Sequence, residues 1–208
     1  MSEKNLIIRL ETKDDYRNTE NLTREAFWNV YRPGCTEHYV LHCYRDDPAF
    51  VPELDFVMEQ DGELIGQVIY VRSEIECDDG RKLPIMTFGP IGIAPKYKRQ
   101  GYGKRLLDYS MEKAKEMGAG ALAITGNILF YGKSGFVPAK TKGVRYADDP
   151  EADYLLIREL EPGFLNGISC TYRDPAGYFV CETDPEGFAQ YEATFPPKEK
   201  RHLPGQLF

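Results

Sequence analysis

"IAPKYKRQGYGKRLL", residues Ile93–Leu107, sets five basic side chains and two glycines at the join between an apolar run and a helical pattern. Lys96, Lys98, Arg99, Lys104 and Arg105 gather there although the 208-residue chain has a net charge of −7. Gly101 and Gly103 fall in the first turn of the expected helix. A helix start exposes about four unpaired N–H groups and the positive end of the macrodipole. Glycine lets a ligand approach that backbone with no Cβ in the way. With Lys98, Arg99 and Lys104 around it, the turn is expected to hold an anion, and phosphate is the natural guest. Two familiar phosphate motifs do not fit. A P-loop needs Ser or Thr after Gly-Lys, where this chain has Arg105, and the dinucleotide fingerprint needs a third glycine where it has Leu106.

The rest of the composition narrows the class. A hydrophobic content of 42% with 28% charged residues is that of a globular protein able to bury a core. No apolar run approaches the roughly 20 residues that span a bilayer, and Met1–Asn5 lacks the apolar stretch of a signal peptide, so a cytoplasmic, membrane-free protein is expected. The acidic balance argues against a nucleic-acid binder, which needs positive faces. Five cysteines without a CxxC pair suggest neither a disulfide framework nor a zinc ribbon. In "CTEHYVLHC" (Cys35–Cys43), His38 and His42 share a helix face at i, i+4, but Cys35 precedes the helix and Cys43 points about 100° from His42. That helix is expected to line a pocket or pack on the core, and no metal is expected.

Outward from the basic stretch, the chain reads as mixed α/β. "LIIRL" (Leu6–Leu10) is a strand by its branched apolar content. Helical spacing runs from about Asp14 to Val30, closed by Pro33-Gly34, and a short helix spans about Thr36–Arg45 before Pro48. "ELDFVMEQ" and "ELIGQVIYVRSEIEC" form a hairpin across Asp61-Gly62, and Asp79-Gly80 turns the chain into "LPIMTFGPIGIAP". Leu106, Leu107, Ser110, Met111, Ala114 and Met117 mark one stripe of the next helix, ended by Gly118. "GALAIT" (Gly120–Thr125) then makes a strand parallel to the one before it, since a strand–helix–strand crossover requires this. "NILFYGKSG" is a short helix and "DYLLIREL" (Asp153–Leu160) a last clear strand. Two parts are expected: a domain over 1–160 and a small β or irregular extension over 161–208.

Gly89-Pro90 interrupts the middle of the third long strand. Proline cannot donate to a ladder, so a bulge or a parting from a neighbouring strand is expected there. A strand that splays away leaves backbone groups that an extended, amide-bearing ligand could satisfy.

"IGIAPKYKRQGYGKRLLDYSMEKAKEMGA" (Ile91–Ala119) resembles the acetyl-CoA-binding segment of the GNAT acetyltransferase superfamily, in which a strand leads to Q/R-x-x-G-x-G/A opening a helix. The six positions here are Lys98, Arg99, Gln100, Gly101, Tyr102 and Gly103. Lys98 departs from the usual Gln or Arg, which keeps the charge but loses a bidentate grip on phosphate. "ITGNILFYGKSGFVPAK" (Ile124–Lys140) looks like the F-Y-x-x-x-G-F ending of an uncharacterised bacterial branch of that superfamily.

The resemblance implies a mostly antiparallel sheet with a splayed parallel pair and flanking helices from about Leu6 to Leu160. It also implies direct transfer of an acetyl group from acetyl-CoA to a primary amine in a ternary complex. Ile91, Gly92 and Ile93 would pair with the pantetheine amides, and the Ile91 or Ile93 N–H would face the thioester oxygen. Lys98 to Lys104 would hold the pyrophosphate, and Tyr131 would protonate the leaving thiolate. Glu37 and His38 would border the acceptor, a small-molecule or peptide amine. Glu74 and Glu76 share a strand face, and none of these groups is assigned as general base. A catalytically silent acyl-CoA sensor is the alternative, and a homodimer is left open.

Overall fold

The computed structural model describes residues 5–206; the N-terminal Met1–Lys4, read above for a leader, and the last two residues lie outside this range. The chain begins with strand β1 (Leu6–Leu10), helix α1 (Tyr16–Phe27) and helix α2 (Glu37–Tyr44). Helix α1 stops before Val30 because Asn29 takes φ 58° and donates its N–H to the Gly34 carbonyl at 2.8 Å, turning the chain.

Strands β2 (Phe56–Gln60), β3 (Glu63–Cys77) and β4 (Lys82–Ile93) follow as an antiparallel meander. Asp61 (φ 53°) and Gly62 (φ 84°) both adopt the left-handed conformation that a tight two-residue hairpin needs. Helix α3 (Tyr102–Glu116) crosses back to β5 (Ala121–Thr125), which lies parallel to β4. Leu106, Leu107, Ser110, Met111 and Ala114 are buried, whereas Met117, past the last helical turn, is 44% exposed. Helix α4 (Ile128–Tyr131), β6 (Val137–Pro138), β7 (Val144–Tyr146) and β8 (Leu155–Glu159) complete this part.

From 161 onward, the chain supplies β9 (Cys170–Tyr172), α5 (Val180–Thr183) and α6 (Pro185–Glu192), so helices stand where short β pieces and irregular chain were read. Among the described residues, nine strands make one sheet in the order β1-β2-β3-β4-β5-β8-β6, with β9 joining β3 and β7 joining β9. One cysteine reading is corrected. Cys77 ends β3 and Cys170 begins β9 directly opposite it, and the two are joined by a disulfide across 93 residues. No spacing rule relates cysteines so far apart. No described helix is long and apolar enough to cross a membrane.

The main core packs Phe56, Met58, Ile65, Val68, Tyr70 and Phe88 of the sheet against Leu106, Leu107 and Met111 of α3. The Tyr70 hydroxyl, buried there, lies 2.7 Å from Ser110 Oγ. The opposite layer is ionic. Arg45 spans Glu11 at 2.9 Å and Glu20 at 2.6 Å, with all three side chains nearly closed to solvent. Glu192 of α6 meets Arg24 of α1 at 2.5 Å and His38 of α2 at 2.8 Å. The last helix is thereby held against the first two.

Candidate active site

The site is built where β4 leaves β5. The two strands pair only at Met86↔Leu122 and Thr87↔Ala123. Strand β4 continues to Ile93, whereas the Gly126 N–H just past β5 turns to the Tyr154 carbonyl at 2.8 Å. The parting begins at the predicted interruption. On β3 the register advances from Val68 to Tyr70 while on β4 it goes from Ile91 back to Phe88, so β4 carries one extra residue at the Gly89-Pro90 bulge. Gly89 has φ 121°, a conformation that favours glycine.

Beyond the bulge, the direction of each backbone group follows from the ladder. The Ala94 N–H bonds to the Ile65 carbonyl at 2.8 Å, and the register then pairs Ile93 with Gly66, Gly92 with Gln67 and Ile91 with Val68. Antiparallel pairs alternate between bonded and non-bonded. Gly92 therefore faces β3, and the N–H and C=O groups of Ile91 and Ile93 face the gap. Of the three residues expected to offer backbone groups to a ligand, Ile91 and Ile93 face the gap, whereas Gly92 turns its own groups to β3. Gly92 lies beneath α1, where an added Cβ would sit 3.5 Å from Phe27 and 3.6 Å from Ala26.

At the mouth of the gap, the loop reaches α3 through Arg99 (φ 61°) and Gly101 (φ 88°), which is the residue preceding the helix. No side chain caps this start, and Arg105 is the residue whose N–H returns to the Gly101 carbonyl, at 3.1 Å. An added Cβ at Gly101 would meet nothing within 4 Å, so its backbone borders open space, while Gly103 packs against Phe130 and Ile93.

The cations divide. Lys98 donates to the Ala26 carbonyl at 2.5 Å, and burial followed by Arg99 lowers its pKa. Lys104 is paired with Asp108, Lys96 with Glu63, and the Gln100 amide with the Lys96 carbonyl at 2.9 Å. The Tyr102 hydroxyl donates to Gln60. Among the described residues, Arg99 and Arg105 are the cations of this stretch that form neither an ion pair nor a hydrogen bond to a carbonyl.

Tyr131 ends α4 with its ring edge-on to Phe88 at 5.8 Å, Phe136 at 5.7 Å and Phe130 at 4.9 Å. Burial, then the neighbouring Tyr31, pushes its phenol pKa up. Tyr31, in the α1–α2 connection, is itself raised by burial and by the Glu37 carboxylate.

Glu37 accepts from the Thr36 N–H at 3.0 Å and the Cys35 thiol at 3.2 Å. Its neighbour His38 is fully buried, ringed by Phe188, Tyr191 and Phe195, and burial lowers its pKa to about 4. His42 instead sits 2.9 Å from Glu20, and among the described residues no group of three His, Cys, Asp or Glu side chains is placed to hold a metal ion. Glu74 and Glu76 pair with Lys82 at the far hairpin, with Glu74 about 23 Å along β3 from Gln67.

Such an order of elements, with a splayed parallel pair leading to an uncapped glycine turn, defines an acyltransferase fold, and comparison with known proteins agrees. The acetyltransferase (GNAT) family model matches residues 20–136, more than half of the chain, and the protein belongs to that family. The uncharacterized N-acetyltransferase YhbS of Escherichia coli K12 is 23% identical over 164 residues, covering 79% of this chain and 93% of YhbS. The crystal structure of E. coli YhbS in complex with CoA superposes with a TM-score of 0.71 at 22% identity, over 86% of this chain and 94% of that one. A GNAT family acetyltransferase from Brucella melitensis, in complex with acetyl-CoA, superposes with a TM-score of 0.66 at 19% identity, over 84% and 98% of the two chains.

Proposed function

We propose that the protein moves an acetyl group from acetyl-CoA to a primary amine of a small molecule or peptide, by direct attack with both substrates bound. The observation that carries this reading is the open edge of β4: the outward amides of Ile91 and Ile93 run toward the uncapped turn at Gly101. An extended, amide-bearing arm with a diphosphate at one end matches that arrangement group by group. The complexes of YhbS with CoA and of the Brucella protein with acetyl-CoA support the choice of ligand. Lys98, Arg99, Gln100, Tyr102 and Lys104 frame the diphosphate site around Gly101 and Gly103, with Arg99 and Arg105 as the available charges. The chain to about residue 160 supplies the coenzyme side.

The Ile91 N–H faces the thioester oxygen, which gains charge as the amine attacks. The N–C bond forms as the C–S bond breaks. The thiolate leaves with the Tyr131 proton, the amine's proton passes to solvent, and solvent returns a proton to Tyr131. A phenol held high by burial stays protonated at neutral pH. The same burial raises the basicity of the thiolate, whose conjugate acid ordinarily lies near 8.5, so that the proton can pass between them. Glu37, at the start of α2, faces the acceptor amine. His38 supports α2 from beneath rather than touching substrate, since it is closed to solvent.

Thiol release from acetyl-CoA, followed across a panel of amines, amino acids and peptides, tests the reading. Release that depends on one amine class, with the acetylated product found by mass spectrometry, is expected. Tight acetyl-CoA binding with no release on any amine would leave a silent sensor instead.

A further inference from the structure

The Gly89-Pro90 bulge is held from two sides by side chains to which no role has been given. Gln67 of β3, only 1% exposed, donates its Nε2 to the Pro90 carbonyl at 3.1 Å. The Tyr178 hydroxyl, from the segment before α5, donates to the Gly89 carbonyl at 3.1 Å. The Pro90 carbonyl and the Ile91 N–H belong to one planar peptide unit and point in opposite directions. Fixing the carbonyl on β3 therefore aims the N–H into the gap. Proline has no N–H of its own, so Ile91 supplies the first donor after Gly89.

Packing alone does not account for either side chain. Gln67 Oε1 is buried with no hydrogen-bond partner among the described residues, a state that costs about 1–3 kcal/mol. An apolar residue of that volume would avoid the cost, so the amide serves through its donor. Tyr178 is seated to reach Gly89. Its ring meets Tyr44 edge-on at 5.0 Å, and the preceding Gly177 lies so close that an added Cβ would fall 2.5 Å from the Tyr44 ring. Eight residues earlier the same segment is pinned to β3 through Cys170, and further on Glu192 fixes it to α1 and α2. Tyr178 lies outside residues 20–136, the span matched to the family.

We propose that Gln67 and Tyr178 are positioning residues that clamp the bulge and aim the Ile91 N–H at the thioester carbonyl, making the C-terminal segment part of the catalytic apparatus. This rests on acetyl-CoA lying along β4 as proposed above.

Isotope-edited infrared spectroscopy of acetyl-CoA labelled at the carbonyl, bound to the full chain without amine, reads the hydrogen bond directly. The wild type is expected to lower the carbonyl frequency relative to free acetyl-CoA. Tyr178→Phe, which keeps the ring against Tyr44, and Gln67→Met, which keeps the volume, should each return the band toward its free position. Calorimetric affinity should stay within about twofold, kcat should fall about tenfold and KM for acetyl-CoA should hold. If Gln67→Met does not fold, Tyr178→Phe decides alone. An unchanged band in the folded variants overturns the proposal, and so does a loss of affinity and Tm with the band unmoved. A shifted band in a wild type that releases no thiol on any amine would sink acetyl transfer and leave the clamp standing. A wild type that does not bind acetyl-CoA would sink both.

Discussion

The two faces of this molecule treat polar groups in opposite ways. Against α1, α2 and the C-terminal helices, polar groups are buried and matched: Arg24 and the neutral His38 on Glu192, Arg45 on Glu11 and Glu20. Where β4 leaves β5, the groups are backbone: those of Ile91 and Ile93 turn away from β3, and the start of α3 borders open space at Gly101. Satisfied charge at such density makes structure, because buried ions that lose a partner are strongly destabilising. Unmatched backbone beside open space makes a binding site. The difference says where to look for chemistry more clearly than the count of charged residues, since Lys96, Lys98 and Lys104 of the basic stretch are themselves engaged.

That division can be broken from either side. The largest effect is expected for Glu192→Ala, which strands Arg24 and His38 in the interior. Stability should fall by about 3–5 kcal/mol in chemical denaturation, with acetyl-CoA affinity of the folded fraction unchanged. A comparable effect is built into His38. Its folded pKa of about 4 lies below the ordinary 6.5, so the unfolded chain takes up a proton first as pH falls. Stability from this group is complete above about 6.5 and declines toward 4, by about 3 kcal/mol in all. Denaturation followed over that range should show the decline, and His38→Phe should remove this part of it.

On the open side, Tyr131→Phe should lower kcat about 100-fold while leaving acetyl-CoA affinity alone. Equal turnover would remove Tyr131 from the mechanism. Gly101→Val places a branched side chain at φ 88° and over the proposed diphosphate site. Acetyl-CoA affinity should drop tenfold or more by calorimetry, with a small change in Tm. The smallest effect is expected for Arg99→Ala: a three- to fivefold loss of affinity that shrinks as salt is raised, as for an exposed charge. If Gly101→Val unfolded the protein while Glu192→Ala left it intact, the assignment of the two faces would be reversed.

Much of this was legible in local pattern. Asp61-Gly62, Gly101 and Gly118 fix turns and helix ends through backbone conformations that adjacent residues dictate, and the glycine turn followed by Phe130-Tyr131 carried the family. Gln67 also left a trace, as a polar residue amid the apolar run Leu64–Val71. Tyr178 left none, because nothing near it in the chain shows that its hydroxyl will meet a carbonyl 89 residues away. His38 read as a residue bordering the acceptor, yet the rings of Phe188, Tyr191 and Phe195 enclose it.

The sequence by itself therefore determined the order of elements, the interruption at Gly89-Pro90 and the glycine turn that opens α3, since each depends on steric and hydrogen-bonding rules that act within a few residues. The tertiary structure decided which cations remain free, which way the Ile91 amide points, and that Cys170, Tyr178 and Glu192 return from the C-terminal segment to the sheet and first helices. Those outcomes depend on contacts between distant segments, and only packing brings such segments together.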